Sequence, residues 1–285
     1  MSKAIDFLPA ITGSFAQPVA ENPTVAMIEA AYQHHGLHLR YLNCEVSHEN
    51  LKAAIEGAKA MGWTGFNCSI PHKIAVIPHL DGLGESAQLI GAVNTVVKSG
   101  EKWIGENTDG KGFLKALRTV TDPKGKKITL FGAGGAARAI GVELALAGAG
   151  NITIVNITKE KGNELVDLLN QNTETKAVFH HWNRTYVIDP ATEIVINATS
   201  VGLFPKVEEH LNINFDSLGP DMIITDVIPN PPETHFIKIA RSKGCQFING
   251  LQMLVNQGVI AIKYWTGEDV DQEVMLSTLK EVLNI

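Results

Sequence analysis

The stretch KKITLFGAGGAARAIGVELALAG, followed directly by NITIVNIT, constrains the fold more than any other part of the chain. A β-branched run meets a glycine-rich turn, a helical pattern follows, and a second strand pattern comes next. Gly132, Gly134 and Gly135 occupy the turn, and Ala137 stands where a third glycine often falls. Gly132 serves the tight turn, Gly134 lets a pyrophosphate approach the backbone, and Ala137 lets the helix pack closely on the sheet. The helix N-terminus offers free N–H groups to phosphate charge. A glycine-rich turn alone fits any α/β protein; here strand, helix and second strand stand in the order that a dinucleotide site requires. The expectation is a doubly wound parallel sheet of Rossmann type.

The end of the second strand speaks to the nucleotide. An NAD site usually carries Asp or Glu there for the ribose 2′-hydroxyl. This chain has Asn156, Ile157, Thr158 and Lys159, with Lys161 beyond. No carboxylate repels a 2′-phosphate and two lysines attract one, but no arginine offers a bidentate clamp. NADP is favoured, with NAD or dual use left open.

The chain has 285 residues, enough for two modest domains. The first hundred residues alternate strand-like runs (ITGSF, RYLNCEV) with helical ones (PTVAMIEAAYQHHG, HENLKAAIEGAKAMG), an α/β layer with mostly parallel strands. GLQMLVNQGVIAIKYWTG and EVMLSTLKEVL read as two closing helices. A net charge of −6 gives no basic footprint for nucleic acid. No apolar run has transmembrane length, and MSKAIDFLPA lacks the pattern of a signal peptide. Cys44, Cys68 and Cys245 are odd in number and lack ligand spacing, which fits a reducing, cytoplasmic setting. His34, His35 and His38 have no carboxylate or cysteine in register, so they read as a solvated helix face rather than a metal site.

Three polar stretches interrupt the apolar pattern of the first part: FNCSIPHK, GAVNT and GENTDG. Ligands of parallel α/β layers bind at the carboxyl ends of strands. If the three converge, they supply Asn67, Ser69, Lys73, Asn94 and Asp109 to one pocket. Taken singly, these residue types are also common turn and cap residues. Reducing a ketone needs a proton donor at the forming alkoxide, and a partly desolvated lysine serves that role in both directions.

The run NxSIPHK, GAVNT, ENTDG, GAGGAAR, NATSVG, GLQMLVNQ resembles the shikimate dehydrogenase family in content and order over nearly the whole chain. The resemblance implies reversible, NADPH-dependent reduction of 3-dehydroshikimate to shikimate, a cyclohexene carboxylate polyol, on the route to aromatic amino acids. It implies Lys73 and Asp109 as the catalytic pair, with Asn22, Thr24, Asn67, Ser69, Asn94 and Gln257 on the substrate. The nucleotide is assigned to Gly132, Ala133, Gly134, Gly135, Ala136, Asn156, Thr158, Lys159, Thr199, Val201 and Gly250. Residues 1–109, completed by helices in 250–285, are expected to form the substrate-binding and catalytic domain. Residues 110–249 are expected to form the NAD(P)-binding domain. A small-molecule substrate is expected, with no nucleic-acid or membrane partner, in a monomer or homodimer.

The chain also departs from the family pattern. Two serines that hold the substrate carboxylate become Asn22 and Thr24, within ENPT; Glu21 stands where a histidine is common. Ser69 replaces a threonine, Pro229 a tyrosine, and Ile157 the arginine of the NRT motif. Asn22 and Thr24 keep donors for a carboxylate, but the pocket is reshaped. Quinate or an aminoshikimate is therefore an alternative substrate. The Lys73/Asp109 pair disfavours a non-catalytic metabolite sensor, and the carboxylate-binding turn with the GLQMLVNQG helix disfavours a folate-type two-domain dehydrogenase.

Overall fold

The computed structural model describes residues 7–285. Residues 1–6, which open the segment examined above for a targeting signal, lie outside the described residues. The chain divides into two compact units, Met1–Thr108 with Gly258–Ile285, and Asp109–Gln257. Among the described residues no helix is long and apolar enough to cross a membrane.

The first unit holds strands β1 (Ala10–Ala16), β2 (Leu39–Glu45), β3 (Gly65–Cys68), β4 (Gly82–Leu83), β5 (Thr95–Ser99) and β6 (Lys102–Glu106), in sheet order β2-β1-β3-β5-β6-β4. Its helices are α1 (Thr24–His34), α2 (Leu51–Ala60), α3 (His72–Ala75) and α4 (Glu85–Ile90), joined by α10 (Gln272–Leu283), which packs on α1. Helix α2 shows how patterning becomes packing. Leu51, Ile55 and Ala58 recur at helical spacing and are all buried. Beneath the sheet, Phe15 stacks on Phe66 at 4.5 Å, with Trp63 and Trp103 beside them.

The sheet is mostly parallel, as expected, with one exception: β5 runs antiparallel to both β3 and β6, while β1, β2, β3, β4 and β6 share one direction. Ser99 pairs with Lys102 across a two-residue turn in which Gly100 takes φ 61°. So short a link cannot make the crossover that parallel strands need, and it forces a hairpin.

The second unit holds β7 (Lys127–Phe131), β8 (Asn151–Asn156), β9 (Lys176–His181), β10 (Ile194–Asn197), β11 (Ile223–Asp226) and β12 (Gln246–Ile248). All pair in parallel, in the order β12-β11-β10-β7-β8-β9. With α6 (Gly135–Leu146), α7 (Lys159–Asn172) and α8 (His235–Ser242) as connections, this is the doubly wound order of a dinucleotide fold. The order reverses between β7 and β10, where such sheets receive their ligand. The expected fold class therefore holds. Helix α5 (Thr108–Leu117) leads from the first unit into the second, and α9 (Gly250–Thr266) leads back.

Candidate substrate and cofactor sites

In the first unit, strand pairing carries polar residues to one level, near the carboxyl ends of β1, β2 and β3 and at the start of β5. Ser14 is the register partner of both Asn43 and Asn67, and Asn67 is that of Thr95. Asn67 is fully engaged as a donor. Its Nδ2 donates to the Asn94 carbonyl and to Thr95 Oγ1, each at 3.0 Å. Its Oδ1 accepts the Tyr41 hydroxyl at 2.8 Å. Burial pushes the Tyr41 phenol well above its ordinary range, so it stays a donor and fixes the amide orientation. Asn67 therefore keeps only a lone pair for a ligand, narrower than the donor-and-acceptor role read from its residue type.

Asn94 caps the entry to α5: its Oδ1 accepts Thr108 N at 2.7 Å and its Nδ2 donates to Thr108 Oγ1 at 2.9 Å. Around Lys73 the backbone is pinned on all sides. The Lys73 carbonyl accepts Val93 N at 2.7 Å, and Ser69 N donates to the Phe15 carbonyl at 3.1 Å. The fully buried His72 ring holds the Val46 carbonyl at 2.7 Å. A four-residue helix thus presents a half-buried lysine from a rigid base.

The Asn22–Thr24 turn is occupied differently from the expectation. Asn22 Oδ1 accepts Thr24 N at 3.1 Å, the Asx turn that starts α1, and its Nδ2 reaches Ser14 Oγ at 3.4 Å. The Asn22 carbonyl accepts Asn43 Nδ2 at 3.1 Å, while Asn43 Oδ1 is buried without a donor. Glu45 accepts Val19 N beside the turn at 3.3 Å. The Asn22 carboxamide is largely spent inside the turn, and the nearby unsatisfied atom is an acceptor.

In the second unit, Asp109 is half-buried on the first turn of α5. Gln257 is buried on α9, its Nε2 donating to the Leu254 carbonyl at 3.0 Å. The glycine loop has the backbone shape and room that a dinucleotide requires. Gly132 takes φ +107°, and a Cβ there would stand 2.8 Å from the Ala198 carbonyl oxygen. A Cβ on Gly134 or Gly135 would meet nothing within 4 Å, so Ala133 and Ala136 flank an approachable backbone. No side chain caps the N-terminus of α6, whereas Thr234 caps α8. Those open amides suit a pyrophosphate.

At the end of β8, Asn156 Nδ2 donates to the Thr158 carbonyl at 2.9 Å. Lys159 and Lys161 lie exposed on the first turn of α7, where the helix dipole disfavours cations, so an anionic partner is the natural complement. Ile157, in the arginine position, is exposed and brings no charge.

After β10, Asn197 Oδ1 accepts both Thr199 N at 3.1 Å and Thr199 Oγ1 at 2.7 Å, and Thr199 Oγ1 accepts Val201 N at 3.1 Å. Behind Asn197 lies Asp226, whose carboxyl burial pushes from 3.8 up to about 6. Gly250 opens α9 against the Ile228 backbone, where a Cβ would come within 2.4 Å of the carbonyl. Sequence reasoning missed Ser14, Tyr41, Asn43, Asn197 and Asp226. Their one signal is a polar residue near the end of an apolar strand run, which gains meaning only once register sets them side by side.

Against known proteins, the model for the "Shikimate dehydrogenase substrate binding domain" matches residues 15–96, and that for the "Shikimate 5'-dehydrogenase C-terminal domain" matches residues 250–280. The NADP(+) shikimate dehydrogenase of Desulforamulus reducens is 40% identical over 273 residues, covering 94% of each chain. Among solved structures, the ligand-free 5-ketofructose reductase of Gluconobacter sp. strain CHM43 superposes with a TM-score of 0.95 at 51% identity, covering 97% of this chain and 100% of its own. A shikimate dehydrogenase in complex with NADP+ superposes with a TM-score of 0.88 at 38% identity, covering 98% of each chain. With kinship of this extent along both units, the chain belongs to the shikimate dehydrogenase family.

Proposed function

We propose that this protein is an NADP-dependent oxidoreductase acting on a CH–OH group, and that its reaction is the reversible reduction of 3-dehydroshikimate to shikimate. One observation carries the reading: full-length kinship with NADP(+) shikimate dehydrogenases, and we assign the family's catalytic lysine and aspartate to Lys73 and Asp109 by their motifs. NADPH, when bound, supplies the hydride. Lys73 gives a proton to the carbonyl oxygen as it becomes an alkoxide and takes it back in the reverse direction. Asp109 orients that exchange and holds the substrate hydroxyl, while Asn67 accepts a ring hydroxyl on its remaining lone pair. The glycine loop and the α6 amides hold the pyrophosphate; Thr158, Lys159 and Lys161 favour the 2′-phosphate. The three cysteines are unbridged, which supports the cytoplasmic setting.

A second reading has its own support. The 51% identical neighbour reduces 5-ketofructose, a neutral polyhydroxy ketone. In this chain the carboxylate-holding serines are gone, Asn22 is tied to Thr24 and Ser14, and Asn43 offers a lone acceptor beside Glu45. That surrounding suits a hydroxyl better than a carboxylate. The test is NADPH consumption, followed by nicotinamide absorbance, with 3-dehydroshikimate and 5-ketofructose in parallel. Faster turnover per concentration of 3-dehydroshikimate supports the first reading, and the opposite order installs the second. No turnover of either ketone, with NADPH still bound, removes both.

A further inference from the structure

We propose that Asp226 is a positioning residue for the nucleotide, acting through Asn197 on the loop that carries Thr199 and Val201. The proposal rests on the cofactor reading above.

Asp226 is 2% exposed and sits at the carboxyl end of β11, beside the end of β10. Its Oδ1 accepts Asn197 Nδ2 and Ile228 N, each at 3.1 Å, and its Oδ2 accepts Thr234 Oγ1 at 2.7 Å. None of these partners is charged, so the carboxylate is held by neutral donors alone. Asn197 is fully buried and carries the relay onward: Oδ1 to the Thr199 amide and hydroxyl, and Thr199 Oγ1 to Val201 N.

The chemistry of this chain of bonds is directional. A carboxamide has a donor end and an acceptor end of nearly equal shape, and packing alone does not choose between them. An ionised carboxylate only accepts, so it draws the Asn197 NH2 group and leaves the Asn197 oxygen facing Thr199. Turned over, Asn197 would set its N–H groups against the Thr199 N–H and release the loop. The same loop lines the β7–β10 crevice: the Ala198 carbonyl oxygen lies against Gly132, the tight turn of the phosphate loop. The loop ordered by this buried acceptor thus borders the phosphate turn.

The test is the dissociation constant for NADPH, read from nucleotide fluorescence without any ketone, together with kcat at saturating NADPH and the unfolding temperature. Asp226→Ala and Asn197→Ala should each weaken NADPH by about tenfold or more, the loss of one buried hydrogen bond's worth of order. The double variant should be no weaker than Asn197→Ala alone, since both act on one relay. Asp226→Asn should rescue binding to within about threefold, because its amide oxygen still accepts from Asn197 while its NH2 group faces Thr234. If Asp226→Ala does not fold, the comparison of Asn197→Ala with Asp226→Asn stands in its place. NADPH binding unchanged in the alanine variants while their unfolding temperatures fall would overturn the proposal, as would independent, additive losses. Absence of NADPH binding by the wild-type protein would remove the cofactor reading and this proposal with it.

Discussion

Replacing Asp226 by asparagine should change stability in opposite senses at the two ends of the pH scale. In the folded protein burial raises its carboxyl from 3.8 to about 6, while the unfolded chain keeps the lower value. Between those values the folded state binds more protons than the unfolded one, so wild-type stability falls as pH rises through this window. The gap corresponds to about 3 kcal/mol, lost in full above about pH 7 and absent below about pH 4. Asparagine cannot ionise and escapes that penalty. It turns an NH2 group toward Thr234 Oγ1, and the hydroxyl hydrogen loses its acceptor at a cost of about 1–2 kcal/mol at every pH. Asp226→Asn should therefore be less stable than wild type near pH 4 and equal or more stable near pH 8. Hydrogen exchange at the β10 and β11 amides, measured at both pH values, reads the stability of this unit directly. A stability difference that stays constant across the range would refute the reasoning.

Four further changes probe the rest of the site. Lys73→Ala should lower kcat by about 10²–10⁴ while NADPH affinity persists; near-normal turnover would take the lysine out of the chemistry. Tyr41→Phe strands the buried Asn67 Oδ1, so unfolding in urea should show a loss of about 1–3 kcal/mol with a raised ketone KM and an unchanged NADPH KM. Thr24→Val should raise the KM of the ketone more than that of NADPH, and equal effects would return the turn to a purely structural part. Lys159→Ala with Lys161→Ala should raise the KM for NADPH several-fold and leave that for NADH nearly unchanged; parallel shifts would show that the lysines do not read the 2′-phosphate.

Most of the departures from the family pattern fall on residues assigned to the substrate, with Ile157 the exception on the nucleotide side. The loop glycines leave open backbone, α6 has no side-chain cap and α7 begins with exposed lysines, features that suit a nucleotide. Around Asn22 and Asn43, by contrast, the polar groups are largely satisfied by one another, and the charges nearby are carboxylates, Glu45 beside Val19 and Glu21 next in the chain. A change there is expected to alter substrate choice rather than hydride delivery. Parallel assays with a carboxylate ketone and a neutral one are therefore the most informative first measurement.

Much was determined by the order of residues alone. The strand–glycine–helix–strand run could make little but a nucleotide-binding α/β unit, because Gly132 needs a backbone angle other residues resist and its neighbours must leave the backbone open. Lys73 and Asp109 stand out in the sequence through the motifs that carry the family resemblance, and a lysine there suits proton transfer. What each amide does was decided only by tertiary structure. Asn22, Asn67 and Asn94 look alike in a sequence, yet one closes a turn, one keeps a single lone pair and one caps a helix. A hydrogen bond belongs to the pair of atoms that make it, and the partners of Asn67 and Asn197 lie up to 29 residues away, on other strands of the same sheet and the segments beside them. Only strand register brings such pairs to one level, and that register also made Asp226 part of the argument.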